Sequence, residues 1–367
     1  MSPTAGPRRP AAILAGLLLS YVALVIYASL APFEPWLPWS DFEADFLIAP
    51  IPRYLSGIDL LLNLLAYLPL GWLAAALCAR RHPGWNAVAR ATLVGALLSV
   101  AMELRQVLLP PRVASNVDLL SNTLGALLGA LPWAWPRMLA NALAPLERVR
   151  VRLLGPGSGP EFGACLLLLW WVCQLNPSIP FLGAGVLEDP DRLAWYEGSP
   201  DSAQWMLQAC AAAFSACGLG LFLACLLARS VQPLAAGLVT LVTLLGIKAA
   251  AAHFLLKPAL AVAWFDSATL AGLAAGSIAL LLALRFGVRL RALAAAVCLR
   301  AGGLFAKLDG HYASWFALRS MFELNFAQLR NFEGLTVWIN ELWPVLAVVF
   351  LMSWRPVPAA DRVSSRP

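Results

Sequence analysis

Residues 57–78 read GIDLLLNLLAYLPLGWLAAALC, and this stretch decides the fold. A helix rises about 1.5 Å per residue and needs about 20 mostly apolar residues to cross a hydrocarbon core. The run has that length, and Arg80, Arg81 and His82 follow it. Its few polar residues are periodic. Asp59, Asn63 and Tyr67 recur every four positions and therefore share one helix face.

Similar apolar runs lie outward from it, near 11–31, 85–109, 117–135, 162–183, 203–228, 231–255, 264–284 and 336–354. None shows the dyad alternation of a barrel strand, and a bilayer admits only helices or closed barrels. The 367 residues are 60% hydrophobic and 13% charged, with mean hydropathy +0.74. Soluble domains carry about 25% charged residues, so a water-soluble enzyme is excluded. The expected fold is all-α, a polytopic transmembrane bundle of about 8–10 spans.

The net charge of +6 invites a nucleic-acid reading, but its distribution argues against one. Lysine is confined to Lys248, Lys257 and Lys307, and the arginines gather in short loops between apolar runs. That is the positive-inside pattern, not a stripe that tracks phosphates. Arg8 and Arg9 put the N-terminus in the cytoplasm, ahead of an uncleaved first span. The acidic segments 32–56 and 184–202 read as external. Arg137, Arg148, Arg150, Arg152, Arg285, Arg289 and Arg291 read as cytoplasmic. The seven cysteines form neither a CxxC pair nor a Cys/His cluster, so no metal site and no cofactor are expected.

The Gly/Pro/Ser stretch 155–160 reads as a linker. It suggests a four-span domain over 1–150, a second four-span region over 151–290, and a C-terminal part over 291–367. That last part holds an amphipathic segment at 312–332 and a final apolar span. Its topology stays open. A crossing near 292–306 would return Arg355, Arg362 and Arg366 to the cytoplasm, but it would contain Arg300 and Gly302-Gly303.

Polar side chains inside a span mark function by default, and the first half carries three groups of them. Asp59, Asn63 and Tyr67 open the second span, and Glu103 and Gln106 close the third. Arg112 and Ser115 lie in the loop beyond it, and Asp118 and Asn122 open the fourth span, ahead of Gly125 and Gly129. Alternating span direction places all three groups near the outer surface, as one candidate ligand site. Blander roles compete. Asp59 and Asp118 suit helix N-termini, Asn63, Gln106 and Asn122 suit interhelical hydrogen bonds, and Gly125/Gly129 suit close packing.

This combination resembles the VanZ-like family of bacterial membrane proteins over about residues 20–135. It comprises Asp59-(x3)-Asn63-(x3)-Tyr67-x-Pro69-Leu70-Gly71, Glu103-x-x-Gln106, and Arg112-(x5)-Asp118-(x3)-Asn122-x-x-Gly125-(x3)-Gly129. The resemblance implies a bacterial cell-envelope membrane protein, in a family named after an accessory protein of glycopeptide-resistance clusters and linked to teicoplanin susceptibility. It implies no agreed biochemical activity, and it leaves the second half unexplained.

In that second half, Gln174, Asn176, Gln204, Gln208, Lys248, His253 and Asp266 also gather near expected outer ends. Lys248 is the sharpest of them, as either a snorkelling lysine or a site residue. The leading expectation is an inner-membrane protein that binds an amphiphilic or lipid-linked envelope ligand at an outward-facing polar pocket. The partner would be a membrane lipid or lipid-linked precursor rather than nucleic acid. A second reading is a membrane enzyme on a lipid-linked glycan or phosphate, with Glu103 or Asp118 as acid/base and Arg112 as anion clamp. No nucleophile motif accompanies it. A transporter ranks last, because only Lys248 hints at a polar path.

Overall fold

The computed structural model describes residues 11–30, 33, 35–42, 45–48, 57–110, 112–154, 159–176, 179, 181–183, 202–228, 230–255, 265–308 and 327–353. The regular elements among them are all helical. In chain order they are α1 (Ala11–Leu30), α2 (Gly57–Cys78), α3 (Trp85–Gln106), α4 (Asn116–Ala130), α5 (Pro136–Leu154), α6 (Gly159–Gln174), α7 (Ser202–Leu226), α8 (Pro233–Leu255), α9 (Ser267–Ala283), α10 (Val288–Leu308) and α11 (Ala327–Ser353). Short 3₁₀ turns lie at Trp39–Asp41, Asp45–Leu47 and Leu131–Ala134. The protein is an all-α membrane protein. Segments of α2, α3, α7 and α8 are long and apolar enough to cross a bilayer, and Leu14–Leu30, Ser267–Ala283 and Ile339–Ser353 are shorter apolar helices.

Two compact units divide the chain, Met1–Glu147 and Arg148–Pro367. In the first, α4 lies on α2 through small residues. A Cβ on Gly125 would meet the Leu64 carbonyl, one on Gly129 the Leu68 carbonyl, and one on Gly71 the Ala126 carbonyl. Successive turns pair 64 with 125 and 68 with 129, so α2 and α4 run parallel. Asn122 meets Ser99 and Gly95 meets Ala126, so α3 runs antiparallel to both. Small residues are how helices in lipid come close, since no hydrophobic force separates them from the solvent tails. Pro69 lacks an N–H and leaves the Leu65 carbonyl without its helical donor. One residue on, the Ala66 carbonyl accepts from the Tyr21 hydroxyl at 2.8 Å, tying α1 to the same turn.

In the second unit α7 is central. Gly272 and Gly276 of α9 lie against Ala209 and Ala213 of α7, and Gly302 of α10 lies against Ser215. Trp170, Phe222, Trp343 and Phe350 form an aromatic core between α6, α7 and α11.

Several expected boundaries move. The expected fourth span ends as an α-helix at Ala130 and tightens into a 3₁₀ turn, because Pro132 cannot donate to the ladder. The expected fifth span, 162–183, is helical only to Gln174. The arginine-rich segment 137–152 is helical, within α5, and buries none of its side chains. Residues 292–306 lie within a helix, α10, which turns Ala292, Ala295, Ala296, Leu299, Gly302 and Gly303 inward and leaves Arg300 exposed. The expected amphipathic segment 312–332 before Ala327, the loop 184–201, Lys257 and the tail arginines lie outside the described residues.

Candidate functional site

The site is built where α3 ends and α4 begins. Ser115 is extended (φ −141°, ψ 130°) and caps α4, its Oγ accepting from the Val117 N–H at 3.2 Å. The Ser115 N–H in turn donates to Glu103 Oε2 at 2.8 Å. A helix N-terminus carries a partial positive charge and free N–H groups. This explains how Glu103, 2% exposed, is accommodated inside an apolar bundle. Asp118, in the first turn of α4, is close enough to Glu103 for the two charges to oppose each other.

A polar seam runs inward from this carboxylate. Ser99, one turn below Glu103 on α3, is fully buried. Its Oγ accepts from Asn122 Nδ2 at 3.0 Å. Tyr67 of α2, 3% exposed, shares the same interior with Ser99, Glu103 and Tyr21. The Tyr67 hydroxyl and the Asn122 Oδ1 make no hydrogen bond of ordinary geometry. A buried polar group left unsatisfied costs about 1–3 kcal/mol. The seam thus holds a carboxylate, a hydroxyl and an amide oxygen with binding capacity to spare.

The other residues singled out from the sequence take different places. Gln106 Nε2 donates to the Ser29 carbonyl at 2.9 Å, and Arg112 donates to the Ala28 carbonyl at 2.8 Å. Both therefore satisfy the final turn of α1, where cationic and amide donors suit orphan carbonyls. Asn63 lies half-buried on α2, one turn before Tyr67. The side chain of Asp59 lies outside the described residues. The structure thus brings Tyr67, Glu103, Asp118 and Asn122 together and places Gln106 and Arg112 beside them as caps of α1.

The second unit has its own polar interior. Lys248 is 0% exposed and therefore does not snorkel. Its Nζ donates to the Asn176 carbonyl at 2.9 Å and to the Ile179 carbonyl. Asn176 Nδ2 donates to Thr336 Oγ1 at 2.8 Å. His253 is exposed, and Asp266 caps α9 by accepting from the Thr269 N–H at 2.8 Å.

Sequence reasoning missed Ser99, Thr336 and Asn340. The spacing carries a signal for each. Ser99 sits four residues before Glu103, and Thr336 and Asn340 are four apart in the final apolar run, so each pair shares a helix face.

Compared with known proteins, residues 14–137 match the model of the VanZ/LLP1 family. No curated protein and no solved structure matches the chain.

Proposed function

We propose that the chain is a multi-pass protein of the bacterial inner membrane, with a cytoplasmic N-terminus, that binds an amphiphilic or lipid-linked envelope ligand. The ligand's polar head enters the seam at the shared end of α2, α3 and α4. One observation carries this reading: Tyr67 and Asn122 keep unpartnered polar atoms beside the buried Glu103. In an apolar bundle such capacity favours a polar guest. Arg80, Arg81 and Arg137 beyond the opposite ends of α2 and α4 support an outward position for this end by the positive-inside rule. The family resemblance brings with it a link to teicoplanin-type susceptibility.

Lipids that co-purify with the protein test the reading. Wild-type protein should retain a head-group class that Glu103→Gln and Asn122→Ala lose, as read by native mass spectrometry. The same lipid profile in all three would overturn it.

The opposed carboxylates of Glu103 and Asp118 favour one alternative, acid/base chemistry on a lipid-linked glycan or phosphate. Glu103→Gln keeps the shape and removes the proton transfer. Turnover of a lipid-linked substrate that survives this change excludes the enzyme reading, while loss of turnover with binding retained favours it.

A further inference from the structure

Among the four helices long enough to span a bilayer, α8 is the least enclosed. In its most apolar window 11% of the residues are buried, against 61% for α7. Its inward stripe is Leu244, Lys248 and Ala252, at successive i+4 positions, 2%, 0% and 0% exposed. A fully buried ammonium therefore occupies the middle of this helix's contact with its own unit.

The partners of Lys248 are unusual. They are backbone carbonyls of the non-helical stretch that follows α6, at Asn176 and Ile179. This stretch stays inside the unit, with Ile179, Phe181 and Leu182 between 4% and 5% exposed. Leu182 adopts a left-handed φ of 61°, which a branched side chain rarely takes. Irregular backbone at membrane depth is tolerated only where its polar groups are satisfied by protein or water. The Gly183 carbonyl is satisfied by neutral donors, Trp170 Nε1 at 3.2 Å and Gln174 Nε2 at 3.4 Å. The carbonyls of 176 and 179 instead share one positive charge.

No carboxylate among the described residues pairs with Lys248. Glu341, on the helix that carries Thr336 and Asn340, is paired with Lys307 at 3.6 Å. Two buried amide side chains lie close in sequence to Asn176 and Thr336. Gln174, two residues before Asn176, is 0% exposed, and Asn340, one turn beyond Thr336, is 2% exposed. Gln174 Oε1 and Asn340 Oδ1 have no hydrogen-bond partner. Converging backbone carbonyl oxygens are the chemistry that replaces the hydration shell of a monovalent cation. An ammonium group matches such an ion in charge and approximate size.

We propose that the Asn176 and Ile179 carbonyls form a monovalent-cation site that the chain fills with its own Lys248 ammonium. The second unit thereby holds its irregular stretch without depending on ions from solution. Removing the lysine side chain opens the site to a free alkali or ammonium ion.

The test uses full-length protein in detergent, as wild type, Lys248→Ala, Lys248→Met and Lys248→Arg. Unfolding temperature is measured in choline, sodium, potassium, ammonium and ethylammonium chlorides at equal ionic strength. Wild type and Lys248→Arg keep a tethered cation and should vary by less than about 1 °C among the salts. Lys248→Ala should fall by about 5 °C or more in choline. At least one small cation should restore half of that loss, with a saturable dose dependence. Lys248→Met, whose side chain fills the space, should recover less than Lys248→Ala. The proposal is overturned if Lys248→Ala behaves alike in every salt, whether it keeps the wild-type temperature, loses the same amount throughout or fails to fold in all of them.

Discussion

The two units bury opposite charges and satisfy them by different means. In the first, the Glu103 carboxylate rests on a helix N-terminus, where donors and a favourable dipole already exist. No distortion is needed, and α3 and α4 stay regular around it. In the second, the Lys248 ammonium needs acceptors, and a regular helix has none free along its length. The chain supplies them by leaving helical order after Gln174 and turning carbonyls inward. A buried anion can thus be added to a standard bundle at a helix start, whereas a buried cation here comes with irregular backbone. Both interiors keep unmet polar atoms, at Tyr67 and Asn122 in the first unit and at Gln174 and Asn340 in the second. The first is the proposed ligand site because its unmet atoms lie with a buried carboxylate where three helices end.

The helices on which these sites rest should differ most in their tolerance of added bulk. A Cβ on Gly129 would strike the Leu68 backbone, whereas Gly246 of α8 has nothing within 4 Å. Gly129→Val should destabilise by about 3 kcal/mol or more, because backbone cannot move aside as a side chain can. Gly246→Ala should change stability by no more than about 1 kcal/mol, towards greater stability. Thermal unfolding of the two variants checks this, and equal losses would break the contrast.

Next in size is the carboxylate itself. Glu103→Ala leaves the Ser115 N–H without its acceptor and should cost about 1–3 kcal/mol, while Glu103→Gln keeps an acceptor and should cost less than half as much. Denaturant titration distinguishes them. Ser99→Ala removes the acceptor of Asn122 Nδ2 and should cost about 1 kcal/mol.

The smallest effect belongs to Tyr67→Phe. The hydroxyl makes no hydrogen bond of ordinary geometry, with the Ser99 hydroxyl as a neighbour, so ligand-free stability should stay within about 0.5 kcal/mol. A loss as large as that of Ser99→Ala would show the hydroxyl already satisfied and the seam already closed.

How much of this was legible follows from the range of each interaction. The helical runs, and the grouping of Tyr67, Glu103, Asp118 and Asn122, depend on local periodicity and on alternating span direction. Both can be read along the chain. The roles of Gln106 and Arg112 depend on the end of α1, 77 and 84 residues away. Arg112 suited an anion clamp and Gln106 an interhelical hydrogen bond, and only packing could show that both reach carbonyls of α1. Ser99 was overlooked because a lone serine in an apolar run is unremarkable until Asn122 faces it. The expected span ran on to 183, although Asn176, Pro177 and Pro180 already marked a helix end near Gln174, since proline cannot continue the ladder.

The central claim is that the seam of the first unit receives a polar head group. Its most direct test is the unfolding temperature of delipidated protein when a total polar lipid extract of bacterial envelope is returned. Ligand at about 100 times its dissociation constant adds about 2.7 kcal/mol to the folded state, so wild type should gain several degrees. The double variant Tyr67→Phe/Asn122→Ala also loses the bond from Asn122 to Ser99. It should therefore unfold about 1–3 kcal/mol below wild type without lipid and gain little over that baseline when lipid is added. An equal gain in both proteins would contradict the account.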